Sequence, residues 1–456
     1  MKKRVLLLRP YYGFNVHTDA HGELGMKLDK HDIYPDLTFL TAATVFAESE
    51  DYEARVIDAI VEDRMLPDEL LKKLENESFD IVIIKTAGST IHSDLALAKA
   101  IRKMMPSADI KVCGLAVKIL KKWLRKNADY IDEIIEEPVD QYAYSYVHKT
   151  KASLNELPFP DYTLVNYKNY TDAAKGLRLT IIGSRGCPMS CLYCPYKQYY
   201  EGYEKRDIEL IIEEMKKLIE LGTAEIQFRD QYFSADRNRT KALLERIIEE
   251  GIKTKIVCET RLESIDEEML LLMKKAGVSM ICFGVESGDE MLLYNYNSIK
   301  GVTKRVKELV DYAQGIGIDT MGFYIIGFPE ETWDVAKSTY ELAEFLDTTY
   351  VHFNEYEHCH FDIENNEYTP ELFLPFENRT TIEYSSVLSV DEIQYLVYLF
   401  EIRYAMRTSY EEAYRDCYKV FRDNRRAEDK LSLYATDLTA LSKCARELRE
   451  EGWIDS

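Results

Sequence analysis

The sequence predicts an α/β protein in three parts: a doubly wound, Rossmann-like sheet at residues 1–150, a partial (β/α)6 barrel of the TIM type at residues 177–355, and a mainly helical unit at residues 356–456. Two observations lead to this prediction. Short runs rich in β-branched residues alternate with amphipathic helical patterns in two separate series. Between the two series, residues 151–176 contain the run Leu-Pro-Phe-Pro, which disfavours helix and predicts an extended linker.

The first series alternates buried strands with amphipathic helices. Such alternation is typical of a parallel sheet covered by helices on both faces, in which ligands bind at the carboxyl ends of the strands. The predicted strands are Val5–Leu8, Ala54–Ile57, Ile81–Lys85 and Ile110–Val112, with Tyr130–Ile135 as a fifth, and the helices include Leu66–Leu74 and Leu95–Met105.

The second series is more regular and predicts the partial barrel, whose chemistry should lie on the loops that follow the strands. Its predicted strands are Leu177–Gly183, Glu225–Phe228, Thr254–Cys258, Met280–Gly284, Thr320–Ile326 and Tyr350–Asn354. The helices between them are Asp207–Leu221, Arg239–Glu249, Ile265–Ala276, Thr303–Gly315 and Thr332–Leu346. Beyond this series, the helices Ser389–Arg407, Tyr410–Arg422 and Leu431–Glu451 are predicted.

Composition and charge disfavour several classes of protein. The chain carries 80 acidic against 58 basic side chains, a formal net charge of −22, which argues against a nucleic-acid partner. No apolar run reaches the roughly 18 residues that span a bilayer, and the N-terminal apolar core is too short for a signal peptide. Nine cysteines without paired spacing predict a reducing compartment, and therefore a cytoplasmic protein without a membrane partner.

Three cysteines follow the first strand of the second series. Cys187, Cys191 and Cys194 stand in the run GSRGCPMSCLYCPY, whose C-x₃-C-x₂-C spacing delivers three thiolates from one loop. Three thiolates hold three irons of a [4Fe-4S] cube and leave the fourth iron open to a small molecule. The alternative, a structural zinc site, prefers four closed ligands, and the other cysteines of the chain are scattered singly.

These residues resemble the radical S-adenosylmethionine (SAM) enzymes, specifically those with an N-terminal cobalamin-binding domain. The resemblance covers residues 1–355, and its specific part is residues 177–355. In that family the three cysteines hold the cluster, SAM chelates the open iron, and an electron from the cluster cleaves SAM to a 5′-deoxyadenosyl radical. The resemblance therefore implies a [4Fe-4S] cluster, SAM and cobalamin as cofactors, and a flavodoxin- or ferredoxin-type electron donor as a partner.

Three residues resemble family positions beside the cluster and the methionine part of SAM. Tyr193 corresponds to the aromatic residue that packs against adenine or the cluster, although an aromatic side chain that only shields the loop is compatible with the same position. Asp230 resembles the carboxylate that approaches the methionine amino group; its alternative is a helix N-cap or loop carboxylate. Arg261 could pair with the methionine carboxylate in a bidentate fork.

Three further residues resemble the positions around the nucleoside. Glu286 corresponds to the carboxylate that accepts hydrogen bonds from the ribose hydroxyls, since two carboxylate oxygens suit a vicinal diol. Ile325 and Gly327 lie in Phe323-Tyr-Ile-Ile-Gly-Phe-Pro-Glu-Glu331, which is similar to the adenine-binding segment of the family. The resemblance places these residues at the ends of successive strands.

The first domain resembles the cobalamin-binding half of the family in two turns. Ser89 and Thr90 belong to the turn after the third strand, and Gly114 follows the fourth. Small residues there would let the corrin and its nucleotide tail approach the backbone. His21 is a weaker match to a cobalt-ligating histidine, because the glycines around it fall at other offsets than in the family.

The sixth barrel strand ends in an unusual polar run, Phe353-Asn-Glu-Tyr-Glu-His-Cys-His-Phe-Asp362. On an extended segment His358 and His360 would face the same way, with Glu355 on the opposite side. We interpret Glu355, His358 and His360 as candidates for the substrate pocket. A solvated polar strand end is the equally weighted alternative.

The resemblance implies a cobalamin-dependent enzyme that methylates an unactivated carbon or phosphorus of a small molecule or peptide. An alternative is a radical SAM epimerase, cyclase or rearrangement enzyme that uses cobalamin otherwise or not at all, because the turn at Gly114 and the run after the sixth strand depart from the family pattern. A tRNA methylthiotransferase is disfavoured, since that family has further cysteines in its first domain, where this chain has only Cys113.

Overall fold

The structure is a computed structural model that describes residues 2–28, 33–172, 176–200, 202–297, 304–357 and 359–373, together with positions 387–389, 392–393, 396–397, 400–401 and 404. The chain divides into two compact units. The first contains Met1–Pro188, Cys194–Arg229 and Cys359–Ile382, and the second contains Met189–Tyr193, Asp230–His358 and Glu383–Ser456.

The first unit contains the predicted doubly wound sheet. Its five parallel strands lie in the order β4-β1-β5-β6-β7. The order reverses between β1 and β5, which makes the carboxyl ends of these two strands the topological switch point. These strands and a small antiparallel pair, β2 and β3, are β1 (Lys3–Arg9), β2 (Asn15–His17), β3 (Met26–Leu28), β4 (Tyr52–Asp58), β5 (Ile81–Lys85), β6 (Asp109–Cys113) and β7 (Glu133–Ile135).

Helices cover both faces of this sheet because their apolar residues complete two hydrophobic clusters, one on each face. Helix α1 begins where the Asp36 carboxylate accepts a hydrogen bond from Phe39 N at 2.9 Å. The sequence patterns did not single out α1 or α6. The helices of the first unit are α1 (Leu37–Glu48), α2 (Pro67–Leu74), α3 (Ile91–Met104), α4 (Leu115–Ile119), α5 (Lys121–Asn127), α6 (Val139–His148), α7 (Tyr196–Tyr199) and α8 (Ile208–Glu220).

A second large sheet has seven strands, of which six form the predicted parallel half-barrel and the seventh, an edge strand, is antiparallel. Three strands of the first unit belong to this sheet: β8 (Thr171–Asp172), β9 (Gly176–Ile181) and β12 (Glu225–Phe228). Two others, β10 (Ser184–Gly186) and β11 (Tyr203–Lys205), do not. Here β12 pairs with β9 in parallel, whereas β10 and β11 form a separate antiparallel pair. The sequence had predicted that the cysteine loop follows β9 directly. In the structure the loop follows the short strand β10 instead.

The second unit contributes four parallel strands in consecutive order, β13 (Lys255–Thr260), β14 (Val278–Glu286), β15 (Asp319–Ile326) and β16 (Tyr350–Glu355). The helices of this unit are α9 (Arg237–Glu249), α10 (Glu267–Ala276), α11 (Glu290–Asn297), α12 (Lys304–Gly315) and α13 (Trp333–Leu346). The strand–helix alternation predicted from the sequence is confirmed, apart from α11, which the patterns missed.

Most residues of the predicted C-terminal helices lie outside the part of the chain that the structure describes. The positions described between 392 and 404 are helical, in agreement with the helix predicted at Ser389–Arg407. The predicted helices Tyr410–Arg422 and Leu431–Glu451 lie outside the described residues. Within the described ranges, no helix combines the length and the apolar character needed to cross a bilayer.

Candidate active site

The three cysteines lie in the loop between β10 and α7, and each is half-buried and outside any disulfide. Three thiols in one partly accessible loop match the donor set of a [4Fe-4S] cluster with one open iron. Among the residues that the structure describes, no group of three or more His, Cys, Asp or Glu side chains is already arranged as a metal site. The fit of the cluster therefore rests on the type and spacing of the donors.

Glu286, the last residue of β14, is held in an unusual backbone conformation. Its φ of 70° is rare for a residue other than glycine, and it coincides with an irregularity in the pairing of β14 with β15 between Gly284 and Glu286. A Cβ atom on Gly284 would lie only 2.1 Å from Glu286 Oε1. Gly284 therefore leaves room for the Glu286 carboxylate, and such strain commonly marks functional positions.

The Glu286 carboxylate accepts a hydrogen bond from the Tyr193 hydroxyl, and the guanidinium of Arg261 acts on it electrostatically. Desolvation is the larger effect and raises the pKa of Glu286 to about 7, although both partners lower it. Arg261 itself forms an ion pair with Glu263 at 3.1 Å and interacts electrostatically with Cys191 and Tyr193. Three of the predicted SAM residues are thus brought together beside the cysteine loop.

Tyr193 also joins an aromatic cluster behind the end of β15. Its ring meets the Phe328 ring edge-on at 6.1 Å, and Phe328 packs against Tyr296 at 4.9 Å and Tyr356 at 5.1 Å. Leu192 N donates to Tyr296 O at 2.7 Å, which ties the backbone of the cysteine loop to α11. Ile325 belongs to the same cluster. The cluster fixes the ring of Tyr193 and therefore the direction of its hydroxyl.

Gly327, just after β15, is required by its surroundings. Its φ is 99°, and a Cβ atom there would lie 2.7 Å from Ile393 Cδ1. The buried carboxylate of Glu331 accepts hydrogen bonds from the backbone N–H groups of Gly327 and Phe328, and burial raises the pKa of Glu331 to about 7. This role of Glu331 was not predicted from the sequence; a carboxylate four residues after a glycine at a strand end was the available signal.

Asp230 follows the strand β12 and is almost completely buried. Burial, and secondarily the carboxylate of Asp230, raises the pKa of the neighbouring Cys258 thiol, so this thiol stays protonated. The same region holds the loop after β13 in place, because Phe233 N donates to Glu259 O at 2.9 Å and the Ser264 hydroxyl donates to Arg261 O at 2.7 Å. These contacts fix the backbone from which Arg261 projects.

The candidates for the substrate pocket are only partly described. Glu355 is the last residue of β16 and is half-buried. His360 is half-buried in the segment 359–373, which belongs to the first unit. His358 lies outside the described residues. The predicted arrangement of these three side chains stays a prediction.

The residues assigned to cobalamin do not form an open cradle. Ser89, Thr90 and Gly114 are all buried. A Cβ atom on Gly114 would lie 2.8 Å from Thr86 O and 3.5 Å from Glu23 O, so the small residue makes room for the chain's own backbone. Among the buried side-chain polar atoms of these three residues, the Ser89 hydroxyl has no hydrogen-bond partner in the described part of the chain. The assignment of these three residues to cobalamin stays a prediction.

Comparisons with known proteins show which family and fold the chain resembles. Residues 181–343 match the model of the Radical SAM superfamily. An uncharacterised methyltransferase of Pyrococcus horikoshii is 26% identical over 338 residues, 67% of this chain and 72% of the relative. The solved structure of the radical SAM methyltransferase TsrM from Kitasatospora setae, with cobalamin and a [4Fe-4S] cluster bound, has a TM-score of 0.60 at 17% identity over 78% of this chain and 75% of that one.

A second solved structure extends the agreement in fold. It is the cobalamin-dependent radical SAM enzyme OxsB with aqua-cobalamin and SAM bound, and it has a TM-score of 0.61 at 13% identity over 99% of this chain and 75% of that one. Residues 181–343 therefore match the Radical SAM superfamily, and the chain is similar in sequence and in fold to enzymes of that superfamily. Its fold is similar to that of these two radical SAM enzymes, both of which were solved with cobalamin bound.

Proposed function

We propose that this protein is a cytoplasmic, cobalamin-dependent radical SAM enzyme that methylates an unactivated carbon or phosphorus of a small molecule or peptide. The observation that carries the proposal is the group formed by Tyr193, Glu286 and Arg261 beside the three-cysteine loop. The methyltransferases among the similar proteins support the reaction class. When bound, the reduced cluster and SAM would supply a 5′-deoxyadenosyl radical, and cobalamin would supply a transferable methyl group.

In this proposal the chain's own residues bind the cluster and SAM, and they orient SAM. Cys187, Cys191 and Cys194 would hold the cluster, and a flavodoxin- or ferredoxin-type protein would supply its electron. Arg261 exchanges its ion pair with Glu263 for the methionine carboxylate, whose planar geometry suits a guanidinium fork.

Asp230, Glu286, Ile325 and Gly327 hold the remaining parts of SAM. Asp230 accepts from the methionine amino group, and its burial strengthens this interaction by excluding water. Glu286 accepts from the ribose hydroxyls, with Tyr193 fixing one of its oxygens. The backbone at Ile325 and Gly327 lies against adenine. Glu355, His358 and His360 are assigned to the substrate pocket.

The pKa of Glu286 predicts a pH dependence of SAM binding. A protonated carboxyl loses part of its acceptor capacity for the ribose diol, so the affinity for SAM should rise as the pH rises through about 7. Between pH 6 and pH 8 the ionised fraction rises about tenfold, and this factor is the upper bound for the rise in affinity. We expect the Glu286→Gln variant to bind SAM weakly and without this dependence, measured by equilibrium dialysis of cluster-loaded protein.

The Glu331→Gln variant is the matched control for Glu286→Gln. The pKa of Glu331 is also raised to about 7, but its carboxylate faces the backbone of Gly327 and Phe328. The Glu331→Gln variant keeps an oxygen that can accept those bonds and should retain the pH dependence of the wild type. Loss of the dependence in this variant, or its persistence in Glu286→Gln, would contradict the assignment of Glu286.

Product analysis tests the reaction class. Protein purified without oxygen from cobalamin-fed cells is incubated with SAM and a reductant, and the nucleoside products are separated by chromatography. We expect S-adenosylhomocysteine, because the reduced cobalamin would take the methyl group of one SAM, alongside 5′-deoxyadenosine from the reductive cleavage of another. 5′-Deoxyadenosine without S-adenosylhomocysteine would contradict methyl transfer.

One observation favours the second candidate function, a radical SAM epimerase, cyclase or rearrangement enzyme with no methyl transfer. The turns assigned to cobalamin are buried and contacted by the chain itself. An enzyme without methyl transfer needs no open cobalamin site, so its own chain would fill the space at these turns permanently. The visible spectrum of the purified protein distinguishes the two, since bound cobalamin adds a corrin band to the broad iron–sulfur absorption.

A further inference from the structure

Three hydroxyl groups form a chain of hydrogen bonds between the loop after β12 and the loop after β13. The Ser234 hydroxyl is bonded to the hydroxyls of both Thr260 and Ser264. Thr260 is the last residue of β13, and Ser264 ends the short helical turn Leu262–Ser264 that follows it. Ser234 and Thr260 are buried, with 1% and 4% of their surfaces exposed. The centre of the hydroxyl chain is therefore shielded from water.

The number of protons available fixes the direction of the hydroxyl chain, because each hydroxyl group can donate only once. The Ser264 hydroxyl donates to the carbonyl oxygen of Arg261 at 2.7 Å. In the bond between Ser234 and Ser264, the donor is therefore Ser234. The donor to Ser234 is then Thr260, whose oxygen also accepts from Ser234 N at 3.3 Å. The hydroxyl chain thus ends on the backbone of Arg261.

The two loops that the hydroxyl chain connects carry the two residues assigned to the amino-acid end of SAM. Asp230 lies in the loop after β12, and Arg261 directly follows β13. A further contact, from Phe233 N to Glu259 O at 2.9 Å, joins the same two parts of the chain. Because the loops are joined through their backbones, these contacts set the spacing between Asp230 and Arg261.

The turn that contains Ser264 has additional support from α9 and α10. Arg237, the first residue of α9, donates to Ser264 O at 3.1 Å and forms an ion pair with Asp266. The Asp266 carboxylate accepts from Met269 N at 2.9 Å and so caps the N-terminus of α10. These contacts do not involve the hydroxyl chain. Removal of one hydroxyl should therefore displace the turn without unfolding it.

We infer that Ser234 is a positioning residue: it acts through the hydroxyl chain to set the spacing of Asp230 and Arg261, and it thereby determines how tightly the α-amino acid end of SAM is bound. The inference rests on the proposed function and deepens it, because Asp230 and Arg261 are the proposed partners of the methionine amino and carboxylate groups. Groups that bind a ligand must be held within about 0.5 Å of the productive geometry. A connected set of buried hydrogen bonds supplies such rigidity.

The affinities for two ligands test the inference. SAM contains the α-amino acid end, whereas 5′-methylthioadenosine contains the adenosine and the sulfur but lacks this end. Full-length, cluster-loaded protein, either wild type or Ser234→Ala, is dialysed to equilibrium against each ligand. We expect the dissociation constant of SAM to rise about tenfold in the variant, and that of 5′-methylthioadenosine to stay within about threefold of the wild-type value. A residue that only stabilises the fold would affect both ligands equally.

Two further variants accompany Ser234→Ala. Ser264→Ala removes the bond to Arg261 O from a half-buried position and should show the same difference between the two ligands, so the test does not depend on the folding of one variant. Ser279→Ala is the matched control. The Ser279 hydroxyl is also half-buried and also donates to a backbone carbonyl, that of Ile256 at 3.2 Å, but it lies near the start of β14. This variant should bind both ligands as the wild type does.

The possible results separate the inference from the proposed function. Equal weakening of both ligands in Ser234→Ala and Ser264→Ala, or unchanged SAM binding in both, would overturn the inference and leave the proposed function standing. Wild-type protein that binds no SAM would overturn both. If Asp230→Asn and Arg261→Gln bound SAM as the wild type does, the roles proposed for these two residues would fall together with the inference. Weaker SAM binding in these two variants, with the selective effect in Ser234→Ala, supports it.

Discussion

Replacing Cys187, Cys191 and Cys194 by serine, together or one at a time, is expected to abolish the cluster and reduce SAM cleavage to background. Iron in such clusters is held by thiolates, and a serine hydroxyl neither ionises near neutral pH nor offers a soft donor. A loop with only two thiolates would leave two irons without protein ligands. The measurements are iron and acid-labile sulfide after anaerobic reconstitution, and the yield of 5′-deoxyadenosine from SAM.

The matched control is a cysteine outside the loop. Cys282 lies on β14 with 4% of its surface exposed, so the Cys282→Ser variant tests whether any cysteine change disturbs the protein. We expect it to retain the cluster and SAM cleavage, at the modest cost of placing a hydroxyl in an apolar position. If the triple serine variant still assembled a [4Fe-4S] cluster, the assignment of the metal ligands would be wrong.

The strands of both sheets could be predicted from the sequence because parallel strands are buried on both faces and appear as continuous apolar runs. Ile81–Lys85 was predicted with the bounds that the structure gives it, and Val5–Leu8 lies within β1. The buried ion pair of Lys85 with Glu23 could not be predicted in this way. Lys85 and Glu23 are 62 residues apart, and neither local periodicity nor propensity indicates which distant charges will pair.

At the candidate site, too, some residues could be predicted from the sequence and others could not. Glu286 and Arg261 could be predicted because strand ends of a barrel gather polar side chains on one edge. Gly284 and Glu331 were missed because each acts on another residue: the first makes room for a carboxylate, and the second holds a turn. Gly114 was interpreted as space for a cofactor, whereas in the structure the same small residue accommodates the neighbouring backbone. A glycine alone does not reveal which partner approaches it.

Replacing Lys85 by methionine is expected to lower the free energy of unfolding by about 3–5 kcal/mol, because it leaves the Glu23 and Asp36 carboxylates buried without their cation. Urea unfolding of the full-length protein, followed by circular dichroism, measures the change. The control is Lys337→Met on α13, whose exposed ion pair with Glu341 spans 3.6 Å. Such pairs contribute at most about 1 kcal/mol, so this variant should unfold almost as the wild type does.

A double variant shows whether the lower free energy of unfolding of Lys85→Met comes from unpaired buried charge. Lys85→Met combined with Glu23→Gln removes one cation and one anion, and the glutamine can still accept the hydrogen bond from Tyr200. The remaining carboxylate, Asp36, accepts hydrogen bonds from the Thr38 hydroxyl and Phe39 N. We therefore expect the double variant to be more stable than Lys85→Met alone by about 1–3 kcal/mol. If the two changes destabilised the protein additively, unpaired buried charge would not be the cause of the lower free energy of unfolding.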